Sequence, residues 1–145
     1  MARPRGVSHT CGPVTLRCHP RLALGLLLAL AAAGCTPRIG DGCAASSNCS
    51  INGDRLCDSS QPGGACTVLD CQADRCPDNA VCVRFNPIPV RRAVVACMHR
   101  CENDGDCRAA EGYRCRSTEE LAAEGLASAV VDVARPDARF CVADP

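Results

Sequence analysis

Cysteine is the residue that most constrains the fold of this chain. Twelve of the 99 residues from 43 to 141 are cysteines, about 12%, which is above the ~10% that marks a disulfide scaffold in a short exported protein. The sequence therefore predicts a small disulfide-rich fold with short β-hairpins and turns and little hydrophobic core. We expect disulfide bonds at Cys43, Cys49, Cys57, Cys66, Cys71, Cys76, Cys82, Cys97, Cys101, Cys107, Cys115 and Cys141.

The spacing of these cysteines contains a repeat. Intervals of five and seven residues separate the cysteines from Cys43 to Cys57, and they recur from Cys101 to Cys115, 58 residues later. Each set of four allows three pairings, which the sequence alone does not distinguish. We favour first-to-third and second-to-fourth pairing, as in many small disulfide-rich modules. The twelve cysteines then form three quartets, within residues 43–66, 71–97 and 101–141.

Bridges are needed because the chain is poor in large apolar side chains. Its aromatic residues are Phe85, Tyr113 and Phe140, and it has no Trp. Aromatic side chains normally contribute much of the buried area in a core. Six bridges, each worth about 2–4 kcal/mol although not additively, would replace that contribution.

Turn residues separate the short strands. Asn52-Gly53, Pro62-Gly63-Gly64 and Asn103-Asp104-Gly105 predict tight turns with a positive φ. The β-branched runs 81–85 and 90–98 flank two prolines, which predicts an irregular hairpin.

One short helix is expected near residues 118–124. Ser117 and Glu120 have the spacing of a capping box, and Gly125 is a stop signal. The apolar run 127–133, which fits a strand or a helix, follows before Pro136. This segment before Cys141 is the least bridged part of the domain.

The front of the chain has the pattern of an export signal. Residues 22–33 are an uncharged apolar run, too short for the ~20 residues of a spanning helix. Arginines precede this run, and no acid occurs before Asp41. A positive front, a short apolar middle and small residues at its end predict a secretory signal peptide over residues 1–34.

The residues Ala32-Ala33-Gly34-Cys35 resemble the lipobox of bacterial lipoproteins, with Ala32 where that family prefers Leu. The resemblance implies cleavage before Cys35 and lipid attachment to its thiol. It implies a tether over residues 35–42 and a Cys-rich domain over residues 43–145. Because Thr36 stands where an inner-membrane retention signal would place Asp, it also implies an outer-membrane or cell-surface location.

Cysteine parity favours the same cleavage site. The chain has 15 cysteines. Cleavage before Cys35 removes Cys11 and Cys18 and assigns Cys35 to the lipid, which leaves an even twelve for pairing. Ordinary cleavage after residue 33 would instead release a soluble secreted protein with one cysteine left over after pairing. A third interpretation is that the N-terminal segment is an uncleaved membrane anchor.

Three segments resemble the short Cys-rich surface modules of lipoproteins common in myxobacteria, loosely EGF-like or dickkopf-like. They are "GDGCAASSNC", "CPDNAVC" and "CENDGDCRAAEGYRC", within Gly40–Cys115. The resemblance implies a small surface module that binds an extracellular protein or a glycan, or serves a structural role.

Charge and residue usage argue against several other functions. Residues 35–145 carry sixteen acids and twelve arginines, a net charge of −4, so a nucleic-acid partner is not expected. His99 is the one histidine in that part of the chain, and nucleophilic catalysis needs a positioned base. We therefore expect that the protein is not an enzyme and that it binds no cofactor. A zinc site at Cys97, His99 and Cys101 is conceivable, but disulfide pairing is the better account and we expect no metal.

Two surface features leave alternatives open. Glu102, Asp104 and Asp106 concentrate carboxylates that could hold Ca²⁺ weakly, although a solvated acidic turn is favoured. The Pro-rich loop between Cys82 and Cys97 presents Arg91-Arg92, as a protease inhibitor presents a substrate mimic. The main prediction is thus a membrane-anchored surface lipoprotein with a binding or structural role, and the alternative is a secreted protease inhibitor.

Overall fold

The computed structural model describes residues 36–85 and 93–144. Within them the chain forms seven short strands and one short α-helix, which confirms the predicted small disulfide-rich fold. In chain order these are β1 (Leu56–Asp58), β2 (Ala65–Thr67), β3 (Ala80–Phe85), β4 (Val94–Cys101), β5 (Tyr113–Arg116), α1 (Thr118–Ala123), β6 (Ser128–Val130) and β7 (Arg139–Ala143). Three one-turn 3₁₀ helices accompany them, at Ser46–Asn48, Asp104–Asp106 and Ala109–Glu111.

All twelve predicted cysteines are paired, first to third and second to fourth in every quartet, which confirms the favoured pairing. In each quartet the third and fourth cysteines lie opposite each other on adjacent antiparallel strands. The first and second cysteines therefore bridge onto neighbouring positions of one strand pair. The bonds are Cys43–Cys57, Cys49–Cys66, Cys71–Cys82, Cys76–Cys97, Cys101–Cys115 and Cys107–Cys141.

The second and third quartets share one antiparallel sheet. Its strand order is β5-β7-β4-β3-β6, whereas β1 and β2 form a separate two-stranded sheet. β4 carries both Cys97 of the second quartet and Cys101 of the third. It pairs with β3 along its length and with β7 at its C-terminal end. The predicted hairpin is confirmed by the pairing of Ala80–Phe85 with residues 94–99.

The predicted turns are largely confirmed. Gly53, Gly63 and Gly64 all have positive φ angles, of 75°, 66° and 64°. Gly64 also leaves no room for a side chain, since a Cβ there would lie 2.0 Å from the carbonyl oxygen of Cys43. The prediction was wrong at Gly105, which lies inside a 3₁₀ helix and not at a positive φ, because a side-chain cap from Asn103 tightens that turn.

α1 begins and ends where the sequence predicts. The Ser117 hydroxyl accepts from the N–H of Glu120 at 3.2 Å, and the Glu120 carboxylate accepts from the N–H of Ser117 at 2.8 Å. Gly125 follows the helix with φ +83°. The ambiguous run after it forms β6, which pairs with β3 at the sheet edge. The segment before Cys141 is therefore integrated into the fold by backbone pairing.

The core is small and is shared with the disulfides. Half of the sixteen buried apolar residues within residues 36–85 and 93–144 are bridged cysteines. The main cysteine-free cluster contains Val81 and Val83 of β3, Leu121 of α1 and Phe140 of β7. Disulfides and a thin core thus stabilise the domain together.

A cation–π contact and side-chain hydrogen bonds connect the first cysteine quartet with the third. The guanidinium of Arg108 lies 4.4 Å from the centre of the Tyr113 ring and donates to the Gly64 carbonyl oxygen at 2.6 Å. The Tyr113 hydroxyl donates to the Pro62 carbonyl oxygen at 3.0 Å. The Pro-Gly-Gly turn therefore supplies the carbonyls that join the two cysteine-rich parts.

Candidate functional site

The cysteines offer no free sulfur to a metal among the described residues. Three groups of cysteines bring their sulfur atoms within 4.8 Å of one another. Every member of these groups is bonded in a disulfide, and a metal ligand must be a thiolate. The clusters are consequences of the paired-strand geometry.

The zinc alternative at Cys97, His99 and Cys101 is contradicted. Cys97 is bonded to Cys76 and Cys101 to Cys115. His99 is half-buried, and its Nδ1 lies 3.1 Å from the amide nitrogen of Asn79. Because β4 is extended, His99 and the two cysteines lie on the same face of the strand, yet each is engaged by a different neighbour.

The acidic turn is a capping structure. The Asp106 carboxylate accepts from the backbone N–H groups of Glu102 and Asn103 at 2.9 and 3.1 Å. Asp104 accepts from the N–H of Cys115 at 2.9 Å. These bonds lower the pKa of both carboxyls, with the bond from Cys115 as the main cause for Asp104 and that from Glu102 for Asp106.

The first cysteine quartet contains the same caps without the acids. Asn48 accepts from the N–H groups of Ala44 and Ala45, each at 3.0 Å. Ser46 accepts from the N–H of Cys57 at 3.1 Å. Each of these residues lies 58 positions before its counterpart in the acidic turn. The 58-residue repeat therefore extends from cysteine spacing to individual hydrogen bonds, and it accounts for Asp104 and Asp106 as structural residues.

Two other predicted sites, the lipid site Cys35 and the Arg91-Arg92 loop, lie outside the described residues. The helices in the described part of the chain are too short and polar to cross a membrane.

An apolar groove of about 680 Å³ is the feature best suited to bind a ligand. Its lining comes from β1 and β2 with the turn between them, from β4 and β7, and from the segment after α1. Val94 and Met98 lie on one face of β4 because alternate strand residues point the same way. Three of the five exposed large apolar residues of the described chain, Leu69, Val94 and Leu126, line this groove.

Negative charge also lines the groove. The carboxylates are those of Asp41, Asp58 and Asp106. None of the three forms an ion pair within residues 36–85 and 93–144. Arg108, which also lines the groove, is engaged by Glu111 and by the Pro-Gly-Gly turn. The groove thus combines apolar walls with three carboxylates that lie outside the ion pairs of the described residues.

Sequence reasoning missed this groove. Leu69, Val94 and Leu126 come from three separate segments, and no local pattern in these segments indicates that the three residues meet on one surface. The tertiary fold alone brings them together.

Exported proteins commonly carry structural disulfides, and the six bonds in this domain are typical of that class. No protein-family model, no curated protein and no solved structure matches this chain.

Proposed function

We propose that this chain is a membrane-anchored surface lipoprotein that binds an extracellular protein segment in the apolar groove. The groove, with carboxylates that form no ion pair among the described residues, is the observation that carries the binding role. Its occupant should be an extended peptide with apolar side chains and arginine or lysine, because those groups complement the walls and the charge.

The anchor is supported by the lipobox-like residues before Thr36. Thr36 and Arg38 are exposed, so the N-terminal end of the described domain is open to solvent. Two or three acyl chains, at ~0.8 kcal/mol per buried CH₂, would hold the protein at a membrane stably. Substitution Cys35→Ser in cells supplied with a palmitate analogue should abolish labelling and release the protein from the membrane fraction. Retention of the variant on the membrane would overturn the anchor.

A binding role fits the chemistry better than catalysis. The Nδ1 atom of His99 lies within hydrogen-bonding distance of Asn79, and all twelve cysteines of the described residues are bonded in disulfides. None of these cysteines can therefore act as a thiolate nucleophile.

The groove is tested by selecting random peptides displayed on phage against the oxidised protein. Selected peptides should be rich in apolar and basic residues. They should lose binding to Val94→Arg and Leu126→Arg, which place a cation in the groove at positions 54% and 37% exposed. Val133→Arg is the matched control, since Val133 is 79% exposed and lies outside the groove. Equal binding to all three variants would exclude the groove as the binding site.

A secreted protease inhibitor remains a second candidate because of how the hairpin is held. β3 and β4 pair as far as Phe85 and Val94, and two disulfides fix Cys82 and Cys97 within these strands. The segment that carries Arg91-Arg92 thus connects two paired strands, each of which is fixed by a disulfide. Inhibition of a trypsin-like protease by the purified domain, lost on Arg91→Ala or Arg92→Ala, would favour this function over the first.

A further inference from the structure

Ile51 is the most exposed apolar residue in the described chain, with its full surface open to solvent. It lies in a loop that is well held at its base. Cys49 is bonded to Cys66, and the Ser50 hydroxyl accepts from the N–H of Asn52 at 3.1 Å and donates to Asp54. A single exposed apolar residue is ordinary on a protein surface. The position of this one relative to the chain terminus is what distinguishes it.

The Ile51 loop, residues 50–54, lies beside the N-terminal end of the described domain. Thr36 and Pro37 share a surface pocket with Ile51 and its neighbours in the loop. The Arg55 guanidinium donates to the Pro37 carbonyl oxygen, which fixes the terminal segment against this loop. Cys35 is the residue covalently joined to Thr36, and consecutive Cα atoms are about 3.8 Å apart. A lipid on Cys35 would therefore bring the membrane surface to this side of the domain.

We infer that the Ile51 loop is the membrane-contacting surface of the anchored protein, with the Ile51 side chain entering the lipid interface beside Cys35. The inference rests on the proposed lipid anchor. Asp54 forms an ion pair with Arg55 at 3.6 Å, so the charged groups next to Ile51 largely balance each other. The contact then needs no anionic lipid and should form on a neutral phosphatidylcholine surface. Its effect is to orient the domain on the membrane.

The absence of Trp from the sequence allows a direct test. Ile51→Trp and Val133→Trp each introduce a single tryptophan at an exposed apolar position, and only the first lies in the pocket shared with Thr36 and Pro37. Each lipidated variant is purified and incorporated into phosphatidylcholine vesicles, with and without bromine on the acyl chains close to the headgroup. Flotation with the vesicles establishes that the protein is anchored. The same two tryptophan variants with Cys35→Ser supply the two spectra in solution.

For the anchored protein we expect Ile51→Trp emission to move to shorter wavelength and to be quenched by brominated lipid. Val133→Trp emission should keep its solution spectrum. If the protein floats and the Ile51→Trp emission is unquenched, or if both variants are quenched equally, the membrane-contacting loop is refuted while the anchor stands. If the protein does not float, the anchor itself fails and the contact falls with it.

Discussion

Leu121 provides the sharpest test of whether a hydrophobic core contributes to this disulfide-rich domain. It is 2% exposed and packs with Val81, Val83 and Phe140 between α1 and the sheet. No cysteine belongs to this cluster. Leu121→Ala therefore removes apolar contact without touching a disulfide.

The expected loss follows from the burial of the side chain. Replacing Leu by Ala removes three carbon groups, worth about 2.4 kcal/mol of transfer free energy at a fully buried site. A residual cavity raises the cost to about 3–4 kcal/mol. Leu126 is the matched control, because it is 37% exposed and solvent can fill the space that its side chain leaves. Leu126→Ala should cost about 1.5 kcal/mol.

The free energy of unfolding of both variants and the wild type should be measured in denaturant with the disulfides intact, using far-ultraviolet circular dichroism. A domain of this size has a total stability of about 5–15 kcal/mol, so the two losses should be resolved. Equal losses for the two leucines would refute the reasoning. That result would mean that the bridges alone hold α1 in place.

Three further outcomes are expected. Asp106→Asn should reduce the stability lost on acidification. Backbone N–H groups lower the pKa of Asp106 from its usual 3.8. The stability that the Asp106 carboxylate contributes is therefore complete above the pKa of this group in the unfolded state, and it is lost as the pH falls through the pKa in the folded state. Thermal unfolding of this variant and the wild type from neutral pH downward measures the difference, and equal acid sensitivity would contradict it. Ser117→Ala should lower the free energy of unfolding by about 1 kcal/mol in denaturant titrations, because the Ser117 hydroxyl caps α1. Ser117→Thr keeps a hydroxyl and should retain most of that stability, so an equal loss with Thr would implicate another contact. In the unreduced protein the twelve cysteines from Cys43 to Cys141 should not react with a thiol-alkylating reagent, whereas two or more modified residues among them would contradict the six-bridge domain.

Local patterns predicted most of the fold because they act over short distances. The capping box at Ser117 and Glu120 needs only two side chains three residues apart, and it forms as expected. The pairing within quartets also follows a local rule, since Cys57 and Cys66 face each other across a hairpin and the two preceding cysteines bridge onto them. Gly105 departs from prediction because a side-chain cap competes with the positive φ that glycine permits.

Contacts between segments that lie far apart in the chain could not be predicted from the sequence. Nothing in the spacing of the cysteines indicates that the second and third quartets share β4, because strand order depends on contacts between distant segments. The buried Asp132 is a further example. It accepts from the N–H of Asp74 at 2.9 Å, and Asp74 accepts from the N–H of Ala134 at 3.1 Å. These reciprocal bonds join the segment after β6 to the second quartet across 58 and 60 residues of chain, and no local motif marks them.

The 58-residue repeat explains why an acidic cluster need not be an ion site. In the first copy, neutral Asn48 and Ser46 cap the turn that follows the first cysteine. In the second copy, Asp106 and Asp104 accept the equivalent backbone hydrogens. Because the neutral copy builds the same turn, the carboxylates are not required to bind a cation for the turn to form. Their charge has a different consequence, since it gives the second copy its sensitivity to acid and adds Asp106 to the negative lining of the groove. The second copy thus contributes one of the three carboxylates of the proposed binding surface, Asp106, whereas Asp41 and Asp58 flank the first copy.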